Sequence, residues 1–129
     1  MTNILLDSSV WIDYFKGAKN VNDTFITDCI DNNLLCTNDL ILAELIPFLI
    51  HKKELKVIDI LRTIKNIPLN IEWDNLIRMQ ASNLHNGING VGISDLIIVQ
   101  NVINNDLKLY SLDKHFILMK KHFKYDLVY

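Results

Sequence analysis

Apolar residues along this chain fall into two kinds of run, and each predicts a different element. Short compact runs stand at Ile4-Leu5-Leu6, Leu34-Leu35-Cys36-Thr37, Leu107-Lys108-Leu109-Tyr110 and Tyr125-Asp126-Leu127-Val128. Runs of this kind, bounded by turn residues, suit strands buried in a parallel sheet. Leu69-Asn70-Ile71, just after Pro68, is a candidate short edge strand. Elsewhere apolar residues recur at helical spacing. That spacing predicts helices over residues 9–15, 21–30, 40–50, 53–64, 74–84, 95–104 and 115–121. In the first of these Val10, Tyr14 and Phe15 form the apolar stripe, while Trp11 and Asp13 fall off it. Gly17 supplies a stop. Thr37, Asn38 and Asp39 offer N-caps for the helix that begins near Leu40, and Ser94 offers one for the helix at Asp95. Pro47 is expected to kink or interrupt its helix. Strands alternate with helices, so the expected fold class is α/β with a parallel sheet.

Length and composition add limits. A chain of 129 residues, half of them hydrophobic, is expected to form a single globular domain over 1–129. The longest nearly apolar run, residues 40–50, contains Glu44 and is too short to span a bilayer. No secretory signal is expected at the N-terminus, and a cytoplasmic location follows as the expectation. Cys29 and Cys36 are not in a C-x-x-C arrangement and read as buried thiols of a reducing compartment. The four histidines show no zinc spacing and read as surface or interface residues. Residues 86–92 hold most of the glycines but match neither a Walker loop nor G-x-G-x-x-G, so a mobile loop is expected there.

The net charge of −2 argues against bulk electrostatic binding to nucleic acid. The lysines are clustered, however, in one group at Lys52, Lys53 and Lys56 and another at Lys114, Lys120, Lys121 and Lys124. A solvated helix face is the ordinary explanation for such groups.

The acids carry the candidate chemistry. Asp7 and Asp113 each follow a predicted strand, Asp95 sits in the first turn of a largely apolar helix, and Glu44 lies inside another. Each has an ordinary explanation. Asp7 could equally cap a helix, and Asp95 could complement a helix dipole. Glu44 is harder to dismiss, because a helix that is apolar all round is expected to be buried, and a buried carboxylate needs a partner. No basic residue lies within a helical turn of it. Four carboxylates at one place would suit Mg²⁺ or Mn²⁺, and such sites act on phosphates.

On these residues the chain resembles the PIN-domain ribonucleases, and among them the VapC-type toxins of toxin–antitoxin pairs. The opening Leu5-Leu6-Asp7-Ser8-Ser9-Val10-Trp11-Ile12-Asp13-Tyr14-Phe15 looks like that family's first motif. Leu42-Ala43-Glu44-Leu45, Ile93-Ser94-Asp95-Leu96-Ile97 and Ser111-Leu112-Asp113-Lys114-His115-Phe116 match its later acids in order, with His115 standing where an acid is frequent. The resemblance implies a three-layer α/β/α sandwich with a small, mainly parallel sheet. It implies Asp7, Glu44, Asp95 and Asp113 as metal ligands and catalytic residues, with Ser9 as a supporting hydroxyl. It further implies RNA cleavage by water activated on Mg²⁺, or on Mn²⁺ in its place, and a homodimer silenced by a cognate antitoxin. Single-stranded DNA is a further possible substrate. Two other classes stand beside it. One is a catalytically silent PIN-like module that binds RNA or protein. The other is a receiver-type phosphoacceptor domain, which would want paired acids at the first strand; Asp7 has no acidic neighbour.

Overall fold

The computed structural model describes residues 2–128, so the first and last residues of the expected domain lie outside it. The element order is β1 (Ile4–Leu6), α1 (Ser8–Lys16), α2 (Asp23–Asp31), β2 (Leu35–Thr37), α3 (Asp39–His51), α4 (Leu55–Leu61), β3 (Lys65–Asn66), α5 (Trp73–His85), α6 (Ile93–Asn104), β4 (Lys108–Tyr110), α7 (Lys114–Met119) and β5 (Asp126–Leu127). The five strands form one sheet in the order β3-β2-β1-β4-β5, and every pairing is parallel. The expected α/β/α sandwich is the architecture found, with a sheet that is wholly rather than mainly parallel.

Parallel strands need crossovers, and these are right-handed almost without exception. From β1 to β3 the chain moves one way across the sheet, and from β4 to β5 it moves the other way. Helices α1, α3 and α4 accordingly pack together, as do α5 and α6. The direction reverses between β1 and β4. In an open parallel sheet, ligands bind outside the carboxyl ends of the strands at such a reversal. β1 is the central strand and all three of its residues are buried, as are all three of β2. Burial on both faces explains why these strands are short unbroken apolar runs.

Two buried asparagines tie α3 to this frame. Asn38 caps α3 by accepting a hydrogen bond from Ile41 N at 2.8 Å, and its Nδ2 donates to Asn101 Oδ1 of α6 at 3.0 Å. Asn101 Nδ2 in turn donates to the Pro68 carbonyl at 3.0 Å. Both side chains are buried and mutually satisfied. Cys29 and Cys36 are free buried thiols, and burial pushes the Cys36 thiol up to about 12.

Several sequence expectations need correction. Trp11 is buried at 2 % exposure, because it stacks on Phe15 within α1 rather than lying off the stripe. Pro47 does not interrupt α3; both it and Ala43, whose carbonyl loses its helical donor, are on the exposed side, where water can replace that bond. Helix α3 is not buried all round, since Glu44 is exposed and Ile50 is 56 % exposed. The edge strand is Lys65–Asn66, not Leu69–Ile71; Ile67 N already bonds the Thr37 carbonyl at 2.7 Å, so pairing with β2 begins before Pro68. Helix α4 is shorter than the apolar pattern, with Lys53 at φ 58 breaking the chain before it. Helix α5 buries Leu76, Met79 and Asn83 and leaves Ile77 and Leu84 exposed. Ser94 lies inside α6, whose N-cap is Gly92. Residues 86–92 are anchored: Ile88 and Val91 are buried, and Gln80 Nε2 donates to the Val91 carbonyl at 2.7 Å. Among the described residues no helix is long and apolar enough to cross a membrane.

Asn38→Ala should remove the α3 cap and leave Asn101 Oδ1 buried without its donor. The expected cost is about 2–4 kcal/mol, combining cap loss with an orphaned buried group. Urea denaturation of both proteins with matched slopes checks it.

Candidate metal centre

The chain reversal between β1 and β4 brings two strand-end acids to adjacent positions. Asp7 follows β1 and caps α1, its Oδ1 accepting from Ser8 N at 2.9 Å. Asp113 follows β4 and caps α7, its Oδ1 accepting from His115 N at 2.9 Å. The capping role considered for Asp7 is therefore real, and it leaves the second carboxylate oxygen free for other work. That oxygen, Oδ2, accepts from Ser9 Oγ at 3.0 Å and from Ser111 Oγ at 2.9 Å. Ser111 Oγ also accepts from Asp113 N at 3.1 Å, so one hydroxyl bridges the two strand-end acids. With Asp7 only 8 % exposed, these donors offset the cost of burying its charge.

Glu44 and Asp95 approach from the helices. Ser8 Oγ donates to Glu44 Oε1 at 3.4 Å, which orients that side chain towards the N-terminus of α1. Partial desolvation raises the Glu44 carboxyl above its ordinary value; the charges of Asp7 and Asp95 raise it further, against the Ser8 hydrogen bond. Glu44 belongs to a solvent-facing part of α3, so the lost solvation concerns the carboxylate rather than the whole residue. Asp95, in the first turn of α6, is likewise raised by desolvation, then by Asp113 and Asp7, with His115 opposing. The four acids thus act on one another as a connected set. Among the described residues no lysine or arginine pairs with any of them. The ion contact at the site is that of His115 Nδ1 with Asp113 Oδ1 at 3.2 Å.

Within this set Asp95, Asp113 and His115 are the most compact group, each offering one donor atom within 4.8 Å of the others. Asp7 and Glu44 lie outside that innermost group. Hard carboxylate oxygens, mutual repulsion and the lack of a lysine or arginine ion pair among the described residues fit a divalent cation. Three contributors escaped the sequence reading. Ser8 and Ser111 stand in the sequence only as parts of the first and last motifs, although a serine two positions before Asp113 is a visible S-x-D pattern. His115 read as a surface residue, yet it is half-buried beside the acids.

Of the second lysine group, Lys114 directly follows Asp113, whereas the other three lie away from the acids. Lys120, Lys121 and Lys124 line a hollow with Lys108, Thr2 and Leu107. Thr2, Leu107 and Lys108 lie at the amino ends of β1 and β4, the sheet edge opposite Asp7 and Asp113.

No curated protein sequence shows significant similarity to the chain. One similar fold occurs in the crystal structure of VapBC2 from Rickettsia felis bound to a DNA fragment from their promoter. The TM-score is 0.73 at 15 % identity, over 98 % of this chain and 97 % of that one. Another occurs in DNA-bound VapBC from Salmonella typhimurium, with TM-score 0.68 at 15 % identity, over 98 % of this chain and 96 % of that one. The sequence profile of the PIN domain matches residues 4–121. Because that match runs from β1 through α7 and takes in Asp7, Glu44, Asp95 and Asp113, this chain belongs to the PIN domain family.

Proposed function

We propose that this chain is a VapC-type endoribonuclease, the toxin of a toxin–antitoxin pair, which hydrolyses RNA with the help of Mg²⁺ or, in its place, Mn²⁺. The observation that carries the proposal is the mutual influence of Asp7, Glu44, Asp95 and Asp113 near the carboxyl edge of the sheet, with no lysine or arginine paired to them among the described residues. PIN-family membership and the shared fold of chains in two VapBC structures support it. On this proposal the unit 1–129 is one PIN-like domain that works in the cytoplasm as a homodimer, with RNA as substrate and a cognate antitoxin as partner. Large apolar side chains exposed on α5 (Trp73, Ile77, Leu84) and on α3 and α4 (Ile50, Leu55, Ile60) offer surfaces for such protein partners.

The chain's own residues then have distinct tasks. Asp7, Glu44, Asp95 and Asp113 hold the cation. Asp7 is the most rigid of them, because three donors fix its carboxylate. Ser9 is the supporting hydroxyl, and Ser111 couples the placement of Asp7 to that of Asp113. A cation bound there supplies an acidified water as nucleophile and neutralises charge on the phosphoryl oxygens. The acids also repel phosphate, so without a cation the chain itself opposes RNA at this edge.

Purified protein should cleave RNA in Mg²⁺ or Mn²⁺, stop in EDTA, and leave 5′-phosphate and 3′-hydroxyl ends. Cleavage that persists in chelator, or ends carrying 2′,3′-cyclic phosphate, would contradict the metal–water mechanism.

Asp95→Asn separates a ligand from a helix-dipole acid. A raised carboxyl pKa means that the folded chain binds its proton more tightly than the unfolded chain does. Between the ordinary aspartate value of 3.8 and the raised one, the Asp95 contribution to stability therefore improves as pH falls. Without metal, the Asn variant should melt at or above the parent at pH 7, and the difference should shrink as pH falls towards about 4. With Mn²⁺ the order should reverse, because only the parent gains strongly from binding. The variant should not cut RNA. A dipole-complementing Asp95 predicts instead a loss of about 0.3–1 kcal/mol with or without metal, and intact cleavage. Thermal melts over pH, with EDTA and with Mn²⁺, decide between the two.

A further inference from the structure

Among the described residues, His115 is the one histidine grouped with the acids. Its side chain keeps 22 % of its exposure, and its Nδ1 stands 3.2 Å from Asp113 Oδ1. On the other side the ring meets the glycine-rich loop: a Cβ at Gly90 would lie 3.7 Å from His115 Nε2, and Gly90 itself has φ +79. The bare backbone of that loop therefore sits beside the ring, which presents Nδ1 to the acids.

Spacing bears on what the ring can do there. Metal–ligand bonds of about 2.1 Å place neighbouring donors of an octahedral ion about 3 Å apart and opposite donors about 4.2 Å apart. The Nδ1–Oδ1 separation fits a neighbouring pair, and Asp95 brings a carboxylate oxygen within 4.8 Å of the same group. Mg²⁺ takes oxygen donors, whereas imidazole suits transition ions, and Mn²⁺ opens the first-row affinity series.

We propose that His115 gives an imidazole nitrogen to the same divalent ion that Asp95 and Asp113 hold, and that this nitrogen tilts the site towards Mn²⁺ over Mg²⁺. The proposal rests on the metal-site reading above. The competing role is a ring that only donates a hydrogen bond to Asp113 and leaves an all-oxygen donor set. A ring in that role positions Asp113 but cannot alter which ion the donors prefer.

Metal binding by the full chain, stripped of metal first, provides the test. Calorimetric titration gives the Mn²⁺ and Mg²⁺ affinities of the parent, His115→Asp and His115→Asn. Pulsed electron paramagnetic resonance of the Mn²⁺ form reads nitrogen coupling directly. The parent should show imidazole coupling, and both variants should lose it. The ratio of Mn²⁺ to Mg²⁺ affinity should fall about tenfold or more in His115→Asp, which replaces nitrogen by a carboxylate oxygen. Metal-free melts establish that the variants fold, and His115→Asn carries the comparison if the aspartate variant does not. Mn²⁺ bound without nitrogen coupling, or a ratio unchanged in the variants, overturns the His115 proposal and leaves the metal site standing. Mn²⁺ binding that is absent, or indifferent to Asp95→Asn, overturns both.

Discussion

Repulsion among carboxylates gathered at one sheet edge is the constraint to which the rest of this structure answers. Desolvation raises the Glu44 and Asp95 carboxyls above their ordinary values, and the charges of the neighbouring acids raise them further. Asp7, the most buried of the four, is compensated by one backbone and two hydroxyl donors. Those donors come from α1 and from the end of β4, so the site's tolerance for charge depends on the register between β1 and β4. A one-residue slip would turn the side chains of β4 to the opposite face and carry Ser111 away from Asp7.

That register explains what the sequence could and could not reveal. The strands at Ile4–Leu6, Leu35–Thr37 and Lys108–Tyr110 were legible because burial on both faces leaves little choice but apolar residues. The acids at their carboxyl ends were legible as candidates for the same reason. Their convergence was not, because it depends on strand order. Asp7 and Ser111 are 104 residues apart in sequence and meet only because β4 lies beside β1. Periodicity within an element carries no information about which elements become neighbours; the family resemblance supplied that link.

Other misreadings have local causes. Ser94 is the better capping residue by type, yet Gly92 holds the extended backbone that starts α6. The choice there is made by where the anchored loop ends, with Ile88 and Val91 packed into the core. His115 reads as a surface or interface residue because no second histidine stands at zinc spacing. Its neighbours at the site are carboxylates from α6 and from the β4–α7 junction, which a search for histidine spacing does not see. Trp11 falls off the stripe of Val10, Tyr14 and Phe15, yet its ring stacks on Phe15 and is buried in the core.

Glu44 shows how a premise can fail while the need it exposed remains. Its helix reads as buried all round, and from that burial the carboxylate was expected to need a partner. Helix α3 is in fact open on the side that carries Ala43, Glu44 and Pro47. The need for a counter-charge remains, because the carboxylate itself is partly desolvated and the charges of Asp7 and Asp95 add to that cost. The apolar residues that suggested burial are still present, and Ile50 on α3 is exposed, as are Trp73, Ile77 and Leu84 on α5. Hydrophobic periodicity reports the surface that leaves water in the assembly a chain works in, whether its own core or a partner covers it. On α3, therefore, the apolar pattern and the carboxylate within it answer to different needs: one to the core that Ile41, Leu42, Leu45 and Leu49 enter, the other to the acids that the carboxylate meets.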